Sequence, residues 1–368
     1  MKSLKLNLLS LGAMLLCSNA PVFSKIIIAV NTDVRVGYFV DSEGNPLFDK
    51  QFQRVEPFYE GLARVEQNGK EGFVNAQGKL VVPCIYDWCD DFSEGLAMVR
   101  KNEKCGYINA KGEVVANCIY DGARKFSEGL ASVRKNGKWG FINAQGKEAI
   151  PCVYDWVNDF FEGFAKIEQN GKCGYINTQS EVVIPCTFEK AGEFSEGLAV
   201  VRQDGKWGFI DTKGEVVIPC VYDDARSFSE GLARVRQEGK WGFVNPQGEV
   251  AIPCTYDGAG PFSEGLASVR KEGKYGYINT QGEVVIPFTY DDASEFSEGL
   301  ARVKQNGKWG YVNPRGEVVV QCIYDWVGMF SDGLIKVEQA GVGSVMTVDG
   351  KVIVKKCSCI LTSWSDVE

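Results

Sequence analysis

The stretch FSEGLARVRQEGKWGFVNPQGEVAIPCTYD, residues 228–257, decides the fold because the chain repeats it. A near copy, FSEGLAVVRQDGKWGFIDTKGEVVIPCVYD, occupies 194–223, and another, FSEGLASVRKEGKYGYINTQGEVVIPFTYD, occupies 262–291. The glycine of the EGL triplet or its counterpart falls at 61, 95, 129, 163, 197, 231, 265, 299 and 333, always 34 residues apart. Repetition at a fixed period fixes the architecture before any local reading does. A 34-residue period also suits paired helices, but glycines at 231, 239, 242 and 248 leave no helix-length gap in the unit. Between them lie LARVR, WGFVN and EVAIPC, short and rich in β-branched and aromatic residues, which read as strands.

The turns can be typed. Asn68-Gly69, Asn136-Gly137, Asn170-Gly171 and Asn306-Gly307 predict tight hairpins between the first two strands. NPQG (245–248) and NPRG (313–316) predict a type I turn closed by a glycine bulge before the third strand. Each unit is therefore expected to be a three-stranded antiparallel meander, followed by a connection such as YDDARSFSEG. In that register Trp241 lies across from Pro253, with Phe243 and Ala251 on the same face, while Val244, Val250, Ile252 and Cys254 point the other way. Both faces are apolar, so neighbouring units must cover them. Trp recurs in its slot at 139, 207, 241 and 309, replaced elsewhere by Tyr275, Cys105, Cys173, Glu71 and Gly343. Stability is expected to peak mid-array.

GKWGFI, GKWGFV and GKWGYV, followed by GEVVIP and YD…FSEGLA, closely resemble the bacterial WG-repeat (KWG-type β-repeat) proteins. The resemblance is strong over 58–329 and weak at both ends. It implies an all-β tandem array, often exported, and carries no general biochemical activity. Three strands per unit favour an open curved or superhelical array, with a closed β-propeller as the alternative, because propeller blades usually hold four strands and more residues.

The expected organisation is a signal peptide at 1–24, a worn capping repeat at 25–57, eight repeats at 58–329, a second worn capping repeat at 330–356 and a tail at 357–368. MKSLK is a short basic start and LNLLSLGAMLL an apolar run too short to span a bilayer, the pattern of a secretory leader. Export to the periplasm, cell surface or medium is expected, and no segment is long and apolar enough for a transmembrane helix. Net charge is −8, which argues against nucleic acid as a partner. Histidine is absent, which removes Ser-His-Asp and Cys-His catalysis and every histidine-containing zinc site.

Seven of the 13 cysteines share one slot, at 84, 118, 152, 186, 220, 254 and 322, where the remaining unit has Phe288. That slot reads as apolar packing rather than a disulfide framework. Cys105 and Cys173 each precede a slot cysteine by 13 residues, making Cys105–Cys118 and Cys173–Cys186 candidate disulfides. The C-x-C pair at 357–359 has no companion ligand, and no metal or cofactor is expected.

Carboxylates recur with the period, as in Asp223-Asp224, Asp291-Asp292 and the Glu of SEG, which suits turn capping better than a singular active site. The units differ after YD: WCD (88–90), GAR (122–124), WVN (156–158), KAG (190–192), DAR (224–226), GAG (258–260), DAS (292–294) and WVG (326–328). If these stretches line one edge, Trp88, Trp156 and Trp326 form aromatic platforms there, with Asp223, Asp224, Asp291 and Asp292 beside them. The reading is an exported, non-enzymatic binding or scaffolding module for a protein or glycan partner in the bacterial envelope. The alternative is the targeting or catalytic part of an envelope carbohydrate- or peptide-processing enzyme that uses the repeated carboxylates.

Overall fold

The computed structural model describes residues 28–31, 36–40, 46–48, 50–330, 333–348 and 350–355. The expected leader, most of the tail, and Cys17, Cys357 and Cys359 lie outside the described residues. Among the described residues every regular element is a strand, so the chain is all-β. Two compact units divide between Thr187 and Phe188.

The unit quoted above shows the building block. Its strands are Asp224–Ser229, Leu232–Gln237, Lys240–Val244 and Val250–Tyr256, paired antiparallel in that order. The block thus has four strands, not three, because the supposed connection DARSFS is itself a strand. Its alternation is hidden by a bulge: Ala225 pairs with Val235 but Phe228 with Ala233, so two residues oppose one. Ala225 and Phe228 are buried, while the polar residues between them face water.

The N-terminal unit holds four such sheets, beginning at Arg54, Trp88, Gly122 and Trp156, preceded by a two-stranded pair, Ile28–Asn31 with Gly37–Val40. The C-terminal unit holds five, beginning at Lys190, Asp224, Gly258, Asp292 and Trp326. The last of these, ending at Lys355, is a complete four-stranded sheet where the sequence reads as worn. In both units the sheets follow one another in chain order, each open at its first and fourth strands, and none closes into a barrel. The fold is a tandem β-repeat array.

The turns form as their residues dictate. Asn136 (φ 52°) and Gly137 (φ 78°) both sit in the left-handed region, as a tight primed hairpin requires. In the NPQG turn the Gly248 amide donates to the Asn245 carbonyl (2.9 Å), and Asn245 Oδ1 accepts from the Glu249 amide (2.9 Å).

The expected third-to-fourth-strand register is corrected. Phe243 pairs with Ile252, but Trp241 pairs with Tyr256 rather than lying across from Pro253. The fourth strand carries surplus residues around Pro253 and arches over Gly242. Consequently Phe243, Val244 and Ile252 are buried and Val250 is exposed.

Packing joins one sheet to the next. Leu198, Val200, Phe209, Ile218 and Tyr222 of one sheet form a single cluster with Ala225, Phe228, Ala233, Val235 and Val244 of its successor. At three of these junctions an aromatic ring meets the following phenylalanine: Phe209–Phe228 at 5.0 Å, Phe243–Phe262 at 4.9 Å, Phe141–Phe160 at 5.0 Å. Alongside, Ser229 Oγ donates to the Phe262 carbonyl (2.8 Å) and Ser127 Oγ to that of Phe160 (2.9 Å).

The recurrent carboxylates are joints. The Glu of SEG has left-handed φ, 53° at Glu230, and its carboxylate accepts from the Glu264 (2.7 Å) and Gly265 (2.8 Å) amides one unit later. Glu60 does the same for Glu94 and Gly95, and Glu94 for Glu128 and Gly129. The Asp of YD pairs with the lysine before the Trp slot, as Lys206–Asp223 (2.6 Å), Lys274–Asp291 (2.5 Å) and Lys240–Asp257. Asp257 Oδ2 also accepts from the Glu272 amide of the next hairpin (2.9 Å).

Hydrogen bonding from these lysines is the largest cause holding Asp87, Asp121, Asp155, Asp223, Asp257, Asp291 and Asp325 below the usual carboxylate range. The folded state therefore binds these protons less readily than the unfolded chain. The resulting stability is complete above the ordinary aspartate value of about 3.9 and is lost as pH falls through the lower folded values. The melting temperature should fall over that acid window, and Asp257→Asn combined with Asp291→Asn should flatten the fall. An unchanged pH profile in the double variant would remove the joint from the account.

Candidate functional site: a cleft along the variable strands

The first strand of each sheet carries the residues that differ between units, and in the C-terminal unit these converge. Arg226 of DAR, Gly258, Ala259 and Gly260 of GAG, Ala293 and Ser294 of DAS, and Met329 after WVG line one cleft of about 790 Å³. Three of the eight variable stretches, 224–226, 258–260 and 292–294, meet there.

Its walls come from a position the sequence reading passed over, the third residue of LAxV on the second strand. That residue is Arg234, Ser268 and Arg302 in three successive sheets. Ser268 is buried, and a Cβ on Gly260 would lie 2.5 Å from its Oγ, so the floor is restricted to the smallest side chains. Arg234 donates through one terminal guanidinium nitrogen to the Ala259 carbonyl (2.8 Å), and its buried Nε has no hydrogen-bond partner. Burial, the leading cause, lowers its pKa, which leaves an arginine charged at any working pH. Arg226 is held by Asp224 at 2.9 Å. Among the described residues Arg234 and Arg302 have no ion-pair partner. Half-buried Trp241 and Tyr275, one slot in adjacent units, complete the lining with exposed Met329.

The expected site residues are placed differently. Trp88, Trp156 and Trp326 are each partly exposed at the start of a first strand only two residues long, and none lines this cleft. Trp156 is engaged locally: its ring meets Trp139 at 5.6 Å, Arg124 lies over it at 4.6 Å, and its Nε1 donates to Asn158 (3.1 Å). Asp223 and Asp291 are bound to lysines, Asp224 to Arg226, and the Asp292 carboxylate accepts from the Ala293 amide (2.8 Å). None of the four lines the cleft.

The described cysteines, Cys105, Cys118, Cys173 and Cys186 included, are in the thiol form. Cys105 and Cys118 are not bridged because the arched fourth strand sets Cys105 opposite Tyr120 instead of Cys118. Slot thiols instead donate to second-strand carbonyls, Cys152 to Val133 (3.6 Å) and Cys254 to Val235 (3.7 Å). Burial raises their pKa above the ordinary thiol value. Alkylation mapped by mass spectrometry should therefore find Cys152, Cys220 and Cys254 protected in the native protein and labelled after unfolding. Rapid native labelling at all three would contradict this packing.

A family model described as WG containing repeat matches nine consecutive stretches: 39–70, 72–105, 106–139, 139–173, 174–207, 207–241, 241–275, 275–309 and 309–342. The chain belongs to this family. The two letters of the name mark Trp241 and Gly242, the arched-over pair, and their counterparts in each sheet of this WG-repeat protein. No curated protein matches the chain. Among solved structures, one described as the eukaryotic initiation factor is 10% identical over 90% of this chain and 95% of its own, with a TM-score of 0.49. The extracellular domain of BT4673 from B. thetaiotaomicron is 10% identical over 89% of this chain and 57% of its own (TM-score 0.31). Kluyveromyces lactis Hsv2 is 9% identical over 60% of this chain and 90% of its own (TM-score 0.33). None reaches 0.5, and the fold of this WG-repeat protein rests on its own strand pairing. No helix among its described residues is long and apolar enough to cross a membrane.

Proposed function

We propose that this WG-repeat protein is a non-enzymatic binding or scaffolding module that captures a protein or glycan partner in the bacterial envelope. The observation that carries the reading is the convergence, on one cleft, of the positions at which otherwise uniform units differ. Uniform positions build the stack, whereas Arg226, Arg234, Arg302, Trp241 and Tyr275 offer charge and ring surface to a ligand. The repeated carboxylates that an enzyme of this composition would use are engaged in lysine pairs and turn caps. The basic-apolar leader pattern at 1–24 supports export, which places the partner outside the cytoplasm.

Affinity capture from the producing cell's envelope, with wild type beside Arg302→Ala/Tyr275→Ala, tests the reading. A partner retained by wild type and lost by the double variant is expected. Equal retention by both proteins removes the cleft from the proposal. A hydrolytic activity towards envelope glycans or peptides that disappears on changing Asp223 and Asp224 would replace the binding module with an enzyme.

A further inference from the structure

We propose that the cleft is a site for an acidic oligosaccharide, one whose sugar rings carry carboxylates. This inference rests on the binding reading and adds the chemical class of the ligand.

The argument begins with how the cleft is made. Two units with arginine in LAxV flank one with serine there, and that middle unit also has Gly258-Ala259-Gly260 where its predecessor has Asp224-Ala225-Arg226. Removing side chains at once from the first and second strands of a single sheet leaves a trough, and Arg234 and Arg302 stand at its two sides. Both are tied down by pairing within their sheets, Arg234 opposite Phe243 and Arg302 opposite Tyr311. The lining contains three arginines against one carboxylate, Glu295, and Arg226 is already neutralised by Asp224. Two planar guanidinium forks without an ion-pair partner among the described residues are donors matched to carboxylate oxygens. In a protein of net charge −8 such a local surplus of positive charge stands out from its surroundings.

The second element is the pair of rings. Trp241 and Tyr275 occupy the same slot in adjacent sheets, so they recur at the spacing of the stack itself. Rings presented at a regular interval suit a ligand that is itself a chain of flat-faced rings, as a saccharide is. Ser263, Ser268, Ser294 and Ser297 add hydroxyls that both donate and accept, matching sugar hydroxyls. An acidic peptide shares the charge but not the repeating ring faces.

The test uses the full chain and three probes in calorimetric titrations at low and at moderate salt: tetragalacturonate, neutral maltotetraose, and hexaglutamate. Tetragalacturonate is expected to bind, more weakly as salt rises, and more tightly than either other probe. Arg302→Gln should weaken it about tenfold or more, the loss of one charge-assisted pair, with Arg302→Lys between the two. Tyr275→Ala should weaken tetragalacturonate without changing the salt dependence. Melting curves identify any variant that loses affinity merely by unfolding, and Arg302→Lys, which keeps both charge and bulk, then decides. Tighter binding of hexaglutamate, equal binding of maltotetraose, undiminished binding by folded Arg302→Gln, or no tetragalacturonate binding at millimolar concentration each overturns the ligand class. A partner captured from the envelope and lost on changing the cleft would leave the binding module standing in every one of those cases.

Discussion

Phe243→Ala is expected to lower stability by about 3–5 kcal/mol, the cost of deleting a large ring from a closed core. Phe243 is fully buried, pairs with Ile252 on its own sheet, and meets the tilted ring of Phe262 of the next sheet at 4.9 Å. One substitution therefore opens a cavity within a sheet and weakens the junction to its successor. Hydrogen exchange should rise first in 224–256 and in the facing part of the next sheet, because stability in stacked repeats depends on nearest-neighbour contacts. Urea unfolding gives the magnitude, and a loss below about 1 kcal/mol would mean that the neighbouring sheet collapses onto the gap at little cost.

Gly242→Ala should be nearly as damaging although it adds a single methyl group. A Cβ there would lie 2.5 Å from the Ile252 carbonyl oxygen, 2.6 Å from the Cys254 nitrogen and 2.7 Å from the Pro253 carbonyl carbon. These are backbone atoms of the arched fourth strand, and no rotamer change can move them aside. Relief requires that the arch lift, which unpairs Phe243 from Ile252; a loss of about 3 kcal/mol, the upper end for overpacking, is expected. The equivalent change at Gly137, in an open hairpin with nothing within 4 Å, meets no atom and strains only its left-handed backbone. It should cost about 1 kcal/mol. If the two variants melt together, close approach is not why glycine stands after Trp241.

The period is legible in the sequence as plain repetition, and the strand class and turn types because each depends on residues close along the chain: the Asn136-Gly137 turn needs only the backbone angles of its own two residues. The fourth strand was not, because Ala225 and Phe228 are three apart across a bulge and break the alternation by which strands are recognised. The register past Phe243 was missed for a related reason. Nothing local to AIPC announces that the strand will arch over Gly242, and that arch also separates Cys105 from Cys118. Three of the variable stretches, 224–226, 258–260 and 292–294, meet at the cleft, yet its residues are not the conspicuous ones in the sequence. Trp88, Trp156 and Trp326 are conspicuous by size, whereas the cleft is defined by what is small, Gly260 and Ser268, and by arginines one strand away. A comparison of the LAxV position across units, as R, S, R, would have found it.

The glutamate joints give the array a direction. In each unit the SEG carboxylates that cap a turn reach forward: Glu60 to the amides at 94 and 95, Glu230 to those at 264 and 265, Glu264 to that of Gly299. The donor groups of these turns are thus satisfied by a residue that leaves the ribosome before them. A nascent chain can finish each turn against a predecessor already in place, without waiting for sequence still to come. Shortening from the C-terminus leaves every remaining turn capped, whereas shortening from the N-terminus exposes a turn whose cap has gone. Synthesis and assembly run the same way.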